Sequence, residues 1–328
     1  MLVWGLVLLC LEAFAPQLDR RNIALAAIGG LIVVLVASFF SPHSRSRWSK
    51  DRYWPFYIAD PLAIFFKRFA LVTTILVLIM AIDYAPVVRA GVPGETPHIR
   101  DREFFALPLF TCAGLMWMAS AIDFVMIFVS LELVTMSFYV LVSFTRRNPA
   151  TLEAGVKYLV LSALSTGFLV YGITWIFGVT GTTNLGATSP HALAAIPVIA
   201  FQPSSASLLS LVALGFKIAA VPFQIWVPDV YQGAPTPVTA FLSVGSKAAG
   251  FVVLLRVLTR FFSLPQVSKL LVVVAALTLV YGNSRCLAAI RPETAARLLE
   301  HRPRRLPAHW RGRDPRALRS PIIWSRIF

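Results

Sequence analysis

The chain has 328 residues, of which 57% are hydrophobic and 14% are charged, and its mean hydropathy is +0.73. Soluble domains average about 45–50% apolar and about 25% charged residues, so this composition excludes a soluble globular protein and predicts an all-α polytopic membrane protein. The formal net charge of +15 does not indicate nucleic-acid binding, because residues 301–328 contribute +7 of it, from eight arginines and one aspartate.

Apolar stretches of about 20 residues, long enough to cross the hydrocarbon core as helices, recur along the chain. By this criterion we predict about nine transmembrane helices. They lie near 1–15, 22–41, 67–84, 104–121, 122–144, 156–178, 207–228, 237–259 and 267–283. A signal peptide is the alternative for the first, but Glu12 and Pro16 do not fit a small-residue cleavage site, so a transmembrane helix is the preferred interpretation.

Polar and turn-forming residues between these segments predict loops. Residues 42–56 are rich in Ser, Arg and His, while 85–103 and 180–206 contain Gly and Pro, so all three ranges are expected outside the membrane. Residues 119–123 leave room only for a tight turn, and the flanking segments should therefore form an antiparallel helical hairpin.

Three charged residues lie near the middle of predicted transmembrane helices. Glu132, Lys217 and Lys247 have no charged neighbour close in sequence. An unpaired charge at the bilayer centre costs roughly 2.5–3.5 kcal/mol on insertion scales, so such residues normally face a bundle interior or a water-filled cavity and mark ion or proton pathways. These residues therefore predict a protein that moves ions or protons across the membrane.

The segment around Lys217 also contains Pro222, five residues later. Proline removes a backbone donor and clashes with the preceding turn, so we predict a broken helix. Breaks at this depth are tolerated only where protein or water satisfies the freed backbone groups, and transporters build ion sites at them. A kinked structural helix with a snorkelling lysine is the alternative, but Lys217 lies too far from either interface for its ammonium to reach water.

Glu132 is the candidate partner of Lys217. A buried carboxylate and ammonium stabilise each other's charged forms, and separation favours the neutral forms, so such a pair can act as a switch. A static buried ion pair is the alternative. Lys247 is a second buried lysine without an obvious acid, which favours a proton relay. Lys157 lies near a helix start, where it can join the relay or form an i,i+4 pair with Glu153 that stabilises the helix end.

The sequence contains no clear cofactor site. Gly178 and Gly181 lack the strand–turn–helix context of a dinucleotide-binding motif. Cys10, Cys112 and Cys286 are widely spaced, which is typical of buried small apolar side chains rather than of disulfides or metal ligands. No cluster of Cys or His has the spacing of a haem, zinc or iron–sulfur site, so we expect no redox centre in this chain.

The residues after the break carry a longer pattern. Residues 222–239 read PFQIWVPDVYQGAPTPVT, which resembles the signature of the subunit N family of the proton-pumping NADH–quinone oxidoreductase, respiratory complex I. The resemblance covers most of residues 20–283. Related antiporter-like subunits and sodium–proton antiporters share the Glu and Lys positions, but residues 230–233 favour subunit N. Further matches at the spacing of that family are 130–133, 153–158, 171–172 and 180–183.

The resemblance implies an antiporter-like helical bundle of two inverted five-helix repeats, each with a discontinuous helix, the first marked by Pro222. It implies that Glu132 modulates Lys217, that Lys217 loads the proton and that Lys247 passes it toward the centre, with Lys157 as an accessory. NADH, FMN, iron–sulfur clusters and quinone would belong to partner subunits. The partners would be the other membrane-arm subunits and the lipid of the inner (cell) membrane.

A stand-alone cation–proton antiporter and a non-functional fragment of the same subunit are the alternative functions. On the preferred interpretation, residues 1–100 are N-terminal transmembrane helices, 101–283 are the antiporter-like translocation repeat and 284–328 are a basic tail. A complete family member would continue with further helices, including a second broken helix with its own lysine. The arginine-rich tail departs from that pattern.

We hypothesise a change of reading frame near Leu299–Glu300. Suitable codons for residues 301–312, read one base later, encode Thr-Gly-His-Ala-Gly-Tyr-Leu-Leu-Ile-Gly-Gly, which resembles the next helix of the family. Resequencing the gene across these codons checks the hypothesis, and we expect the shifted frame to be open. Codons incompatible with that translation would contradict it and favour an authentic basic tail that binds lipid headgroups.

Overall fold

The computed structural model describes residues 2–14, 20–40, 56–91, 103–146, 148–185, 212–261 and 265–290. Within these ranges the backbone is helical apart from turns, and strand-like pairing is limited to two isolated bridges. The prediction of an all-α fold is confirmed for this part of the chain. The protein divides into two compact units, Met1–Ala276 and Leu277–Phe328, and the described residues of the second unit, 277–290, are helical.

The helices are numbered here in chain order. They are α1 (Leu2–Phe14), α2 (Arg20–Phe40), α3 (Pro61–Gly91), α4 (Glu103–Ser120), α5 (Phe124–Val142), α6 (Pro149–Thr180), α7 (212–218), α8 (Trp226–Gly233), α9 (Thr236–Phe241), α10 (Lys247–Phe261) and α11 (Pro265–Ile290). A 3-10 turn, Phe223–Ile225, precedes α8. A π-helical turn, Leu242–Ser246, joins α9 to α10 and makes one continuous segment of the three.

Six described segments are long and apolar enough to cross a membrane: Arg21–Phe40, Pro61–Val88, Glu103–Ser120, Phe124–Val142, Pro149–Gly178 and Thr236–Leu258. Each coincides with a segment predicted from the sequence. Large apolar side chains such as Val156 and Leu164 point out of the bundle, as expected for helices surrounded by lipid. Of the remaining predicted segments, α1 has 13 residues, 207–228 is interrupted, and α11 contains a shorter apolar stretch, Ser268–Ser284.

Three helices are clearly longer than the sequence predicts: α3, α6 and α11, which runs from Pro265 to Ile290 where 267–283 was predicted. The loop predicted at 85–103 was wrong for residues 85–91, which continue α3 through Pro86. Ala85 and Val88 are buried there, so the packing of these side chains outweighs the one backbone hydrogen bond that proline removes. At the start of α6, the Asn148 side chain accepts a hydrogen bond from the backbone N–H of Ala150 (3.1 Å), and this cap begins the helix seven residues before the predicted position.

Several predictions fall on residues that the structure does not describe. These are most of the loop at 42–56, residues 186–206 of the loop at 180–206, and the change of frame near 299–300. The division into 1–100, 101–283 and 284–328 stays a prediction.

The predicted hairpin is formed by α4 and α5, which pack side by side. Asp123 caps α5, because its carboxylate accepts hydrogen bonds from the Val125 N–H (2.8 Å) and the Thr183 hydroxyl (2.7 Å). At Gly114 a Cβ atom would lie 2.7 Å from Val134 Cγ2, so only glycine permits the helices to approach this closely. The hydrogen bond between Asp123 and Thr183 connects the hairpin turn to the residues that follow α6 at one end of the bundle.

A partly buried arginine connects α10 to the same end of the bundle. The Arg256 guanidinium forms an ion pair with Asp60 (2.6 Å) and donates to the Ala119 carbonyl from two nitrogens (3.1 and 2.8 Å). Asp60 also accepts from the Ala63 N–H (2.9 Å), which caps α3. One side chain thus connects α3, α4 and α10.

Replacement of Arg256 by alanine is expected to destabilise the bundle by about 1.5–3 kcal/mol, because hydrogen bonds to charged groups are lost and the partly buried Asp60 loses its cation. The measurement is chemical unfolding of the purified protein in detergent. Arg256→Lys keeps the positive charge but loses the planar guanidinium that donates from two nitrogens. An intermediate loss of unfolding free energy is therefore expected. Unfolding of R256A at the wild-type denaturant concentration would contradict this role.

Candidate functional site

The helix that carries Lys217 is interrupted just after it. Helix α7 ends at Ile218, Ala219 has a left-handed backbone (φ 62°), and regular structure resumes only at Phe223. The Phe216 carbonyl at the break accepts from the Ala219 N–H (3.1 Å) and from the Trp226 indole N–H (3.1 Å), so protein satisfies this backbone group where the helix ends. Proline at 222 cannot donate to the preceding turn and keeps the helix from continuing.

The Lys217 side chain points into the bundle and is 3% exposed. Its ammonium donates a hydrogen bond to the Thr135 hydroxyl on α5 (2.9 Å). On the other side, a Cβ atom at Gly250 of α10 would lie 3.4 Å from Lys217 Cβ and Cγ and 3.0 Å from Ile218 Cγ2. Glycine at 250 therefore allows α10 to lie directly against the aliphatic part of the lysine.

Glu132 lies on α5 one turn before Thr135, on the same face of the helix. Its carboxylate accepts a hydrogen bond from the Thr166 hydroxyl on α6 (2.7 Å). The direct ion pair with Lys217 that the sequence suggests is not among the ion pairs in the described part of the chain. Each charge is bonded to a threonine hydroxyl instead. The Lys217 ammonium contacts α5 at Thr135, one turn after Glu132, and the Glu132 carboxylate is bonded to Thr166.

Lys247 begins α10, immediately after the π-helical turn, and is half-buried. Its ammonium lies 5.4 Å from the centre of the Tyr231 ring on α8, within the range of a cation–π interaction. Gly250 follows Lys247 by one turn on the same face, and Gly250 contacts the stem of Lys217. Helix α10 thus carries Lys247 on the face that packs against the Lys217 stem.

Lys157 lies apart from this group. Its ammonium forms ion pairs with Glu153 (2.7 Å) and Asp229 (2.6 Å), and its side chain is 40% exposed. Lys157 precedes Thr166 by nine residues on α6, which corresponds to about 14 Å along the helix axis. The i,i+4 pair with Glu153 that the sequence suggests is present, and the contact with Asp229 joins α6 to α8.

Aromatic side chains enclose the break. Trp226 packs against Tyr158, Phe216 and Tyr231, with ring centres 5.2, 5.3 and 6.0 Å apart. Gly215 accommodates the Phe223 ring, because a Cβ atom there would lie 2.8 Å from Phe223 Cδ2. This packing keeps the chain compact at a point where it has no regular helix.

Four contributors were missed from the sequence: Thr135, Thr166, Asp229 and Tyr231. Thr135 follows Glu132 by three residues, so a search for polar residues on the Glu132 face of the helix would have found it. Thr166, Asp229 and Tyr231 act across helices, and no spacing along the chain reveals those contacts.

No three His, Cys, Asp or Glu side chains within the described ranges are arranged to hold a metal ion. The groups brought together are instead a buried ammonium, a partly buried carboxylate and hydroxyls, which can exchange protons with one another and with water. The chemistry that this arrangement supports is proton transfer.

Comparison with known proteins identifies the family. Residues 121–291, more than half of the chain, match the family "NADH:quinone oxidoreductase/Mrp antiporter, TM". NADH-quinone oxidoreductase subunit N of Heliobacterium modesticaldum is 39% identical over 85% of this chain and 56% of that protein. Subunit N of Desulforamulus reducens is 37% identical over 91% and 60%.

Solved structures give the same result. A chain of respiratory complex I from Thermus thermophilus with bound aureothin superposes with a TM-score of 0.67 at 29% identity, over 87% of this chain and 57% of that one. An archaeal membrane-bound sulfane sulfur reductase shares the fold at 22% identity and the same TM-score. The chain spans a little over half the length of the curated relatives it matches. It belongs to the transmembrane family shared by NADH:quinone oxidoreductases and Mrp antiporters, as the resemblance predicted.

Proposed function

We propose that this chain is a proton-translocating membrane-arm subunit of an NADH–quinone oxidoreductase. The observation that carries the proposal is the Lys217 ammonium, 3% exposed at a helix break and bonded to Thr135 one turn from Glu132. A charge in that position is energetically costly, and such charges in membrane proteins typically mark ion or proton pathways. The relatives named NADH-quinone oxidoreductase subunit N support the choice of complex.

Glu132 controls the proton on Lys217 in this proposal. Approach of the carboxylate favours the charged ammonium, and withdrawal favours release of its proton. The Thr166 hydroxyl holds the carboxylate on the α6 side, whereas the Thr135 hydroxyl holds the ammonium on α5. Exchange of these two hydroxyl contacts for a direct carboxylate–ammonium contact is the switching step.

Lys247 accepts the proton that leaves Lys217. Its place one turn from Gly250, which contacts the Lys217 stem, supports this order. Lys157 is the accessory residue: through Asp229 it connects the start of α6, the helix that holds Glu132 by way of Thr166, to α8 beyond the break. A movement of α8 would then be transmitted through Asp229 and Lys157 to α6, the helix that holds Glu132.

The energy for translocation comes from partner subunits in this proposal. NADH, FMN, iron–sulfur clusters and quinone are bound there rather than in this chain. The chain lies in the inner (cell) membrane beside the other membrane-arm subunits. Purification from native membranes tests this arrangement, because the chain should co-migrate with the other subunits of a large respiratory complex.

A stand-alone cation–proton antiporter is the second candidate, because the matching family also includes Mrp antiporters. The subunit N names among the relatives favour the first. Genes for quinone-oxidoreductase subunits beside this gene would support the complex, and migration of the chain alone would support the antiporter. A non-functional fragment would give no proton movement in either setting.

One test of the proposed function is Lys217→Ala, introduced into the chromosomal gene so that the variant is made in its native membrane. Groups that transfer protons contribute roughly 10²–10⁴-fold to rates, so NADH-driven acidification of inside-out membrane vesicles should fall to background. The amount of assembled complex, measured by native electrophoresis, should change little. Wild-type acidification in the variant would refute the role of Lys217 as the loading site.

Another test is Thr135→Val, which keeps the side-chain shape and removes the hydroxyl that accepts the Lys217 hydrogen bond. Loss of a hydrogen bond to a charged group is worth about 1.5–3 kcal/mol, so translocation should slow by roughly 10–100-fold. Thr174→Val is the matched control, because the exposed Thr174 hydroxyl donates only to the Val170 carbonyl of its own helix. Equal rates in the two variants would contradict a role for Thr135.

A further inference from the structure

Two buried polar atoms on the segment after the break have no hydrogen-bond partner in the described structure. They are the Tyr231 hydroxyl oxygen and the Gln224 side-chain oxygen. The residues are seven apart, so they lie two turns apart on nearly the same face of this segment. A buried polar group left without a partner is unfavourable, and in proteins such groups are normally bonded to internal water.

Tyr231 is held from both sides by packing. Its ring contacts Trp226, which in turn is bonded to the carbonyl of Phe216, the residue before Lys217. The Lys247 ammonium lies 5.4 Å from the centre of the Tyr231 ring. The Tyr231 ring therefore contacts Lys247 directly. Through Trp226 it is also connected to Phe216, the residue before Lys217.

The lysines themselves have unused hydrogen-bonding capacity. An ammonium can donate three hydrogen bonds, and Lys217 donates one, to Thr135, within the described residues. The described contact of Lys247 is the Tyr231 ring, which accepts no conventional hydrogen bond. Both cations are thus suited to water as a further partner.

We propose that the Tyr231 hydroxyl and the Gln224 side-chain oxygen bind internal water, and that Tyr231 positions Lys247 and this water for proton transfer with Lys217. The inference rests on the proposed function. A proton leaves the Lys217 ammonium for the bound water, and the water gives a proton to the neutral Lys247 amine, so water is regenerated. Tyr231 keeps its own proton and acts only as a hydrogen-bonding partner and as the surface against which the Lys247 cation lies.

The test is Tyr231→Phe in the chromosomal gene, assayed as NADH-driven acidification of inside-out vesicles per assembled complex. The ring and its cation–π contact remain and only the hydroxyl is lost. We expect the translocation rate to fall about tenfold, a modest share of the effect of a proton-transfer group. In Tyr231→Leu, which also removes the ring, the translocation rate should fall further. Tyr171→Phe is the control, because the half-exposed Tyr171 packs on Trp175 at 6.0 Å, away from both lysines.

A solvent isotope measurement separates proton transfer from a merely structural role. If the hydroxyl holds the water that carries the proton, its loss slows that step, and the rate ratio between H₂O and D₂O should rise in Tyr231→Phe. An unchanged ratio together with a lower rate would mean that Tyr231 only supports the fold, and would overturn the inference.

Two further outcomes keep the inference and the proposed function apart. Wild-type acidification in Tyr231→Phe, with none in Lys217→Ala, would refute the inference and leave the function standing. Wild-type acidification in Lys217→Ala would refute the function itself. If Tyr231→Phe fails to assemble, a cryo-electron microscopy map of the wild-type complex decides: water density at the Tyr231 hydroxyl supports the inference, and a protein partner without water refutes it.

Discussion

The burial of one ammonium group determines how this part of the bundle is built. Lys217 is 3% exposed in an apolar surrounding, and its charge must be stabilised locally. The interrupted helix places it, Thr135 accepts its hydrogen bond, and Gly250 makes room for its stem. At the interruption, the Trp226 indole and the Ala219 N–H both donate to the Phe216 carbonyl. The helix end, the hydroxyl and the glycine therefore all lie against this one side chain.

Charged groups in the described bundle are held in two different ways. Arg256 with Asp60 and Lys157 with Asp229 form direct ion pairs of 2.6 Å. Glu132 and Lys217 are instead each bonded to a neutral hydroxyl. A direct pair fixes both charges, because separating it leaves two unpaired ions in low dielectric. A hydroxyl can donate or accept, so it stabilises a group in either protonation state and leaves the proton free to move.

Patterns along the chain were sufficient to predict the helical class and six membrane-spanning segments, and they singled out Lys217, whose side chain is buried. Hydropathy and spacing are properties of one segment at a time, and these features depend on little else. Contacts between segments were not predictable: Thr166 reaches Glu132 from a separate helix, and Asp229 reaches Lys157 across 72 residues. The continuation of α3 past Pro86 was missed for the same reason, since burial of Ala85 and Val88 depends on the packed bundle.

The interrupted helix also has an electrostatic consequence. Lys217 lies in the last turn of α7, where the partial negative charge of the helix terminus favours a cation. Proline at 222 cannot extend the helix, so this terminus stays where it is whether or not the lysine carries a proton. The backbone therefore supplies a constant background potential at Lys217. Changes in proton occupancy must come from groups that can move, and Glu132 is a charged group one turn from Thr135, the residue that accepts the Lys217 hydrogen bond.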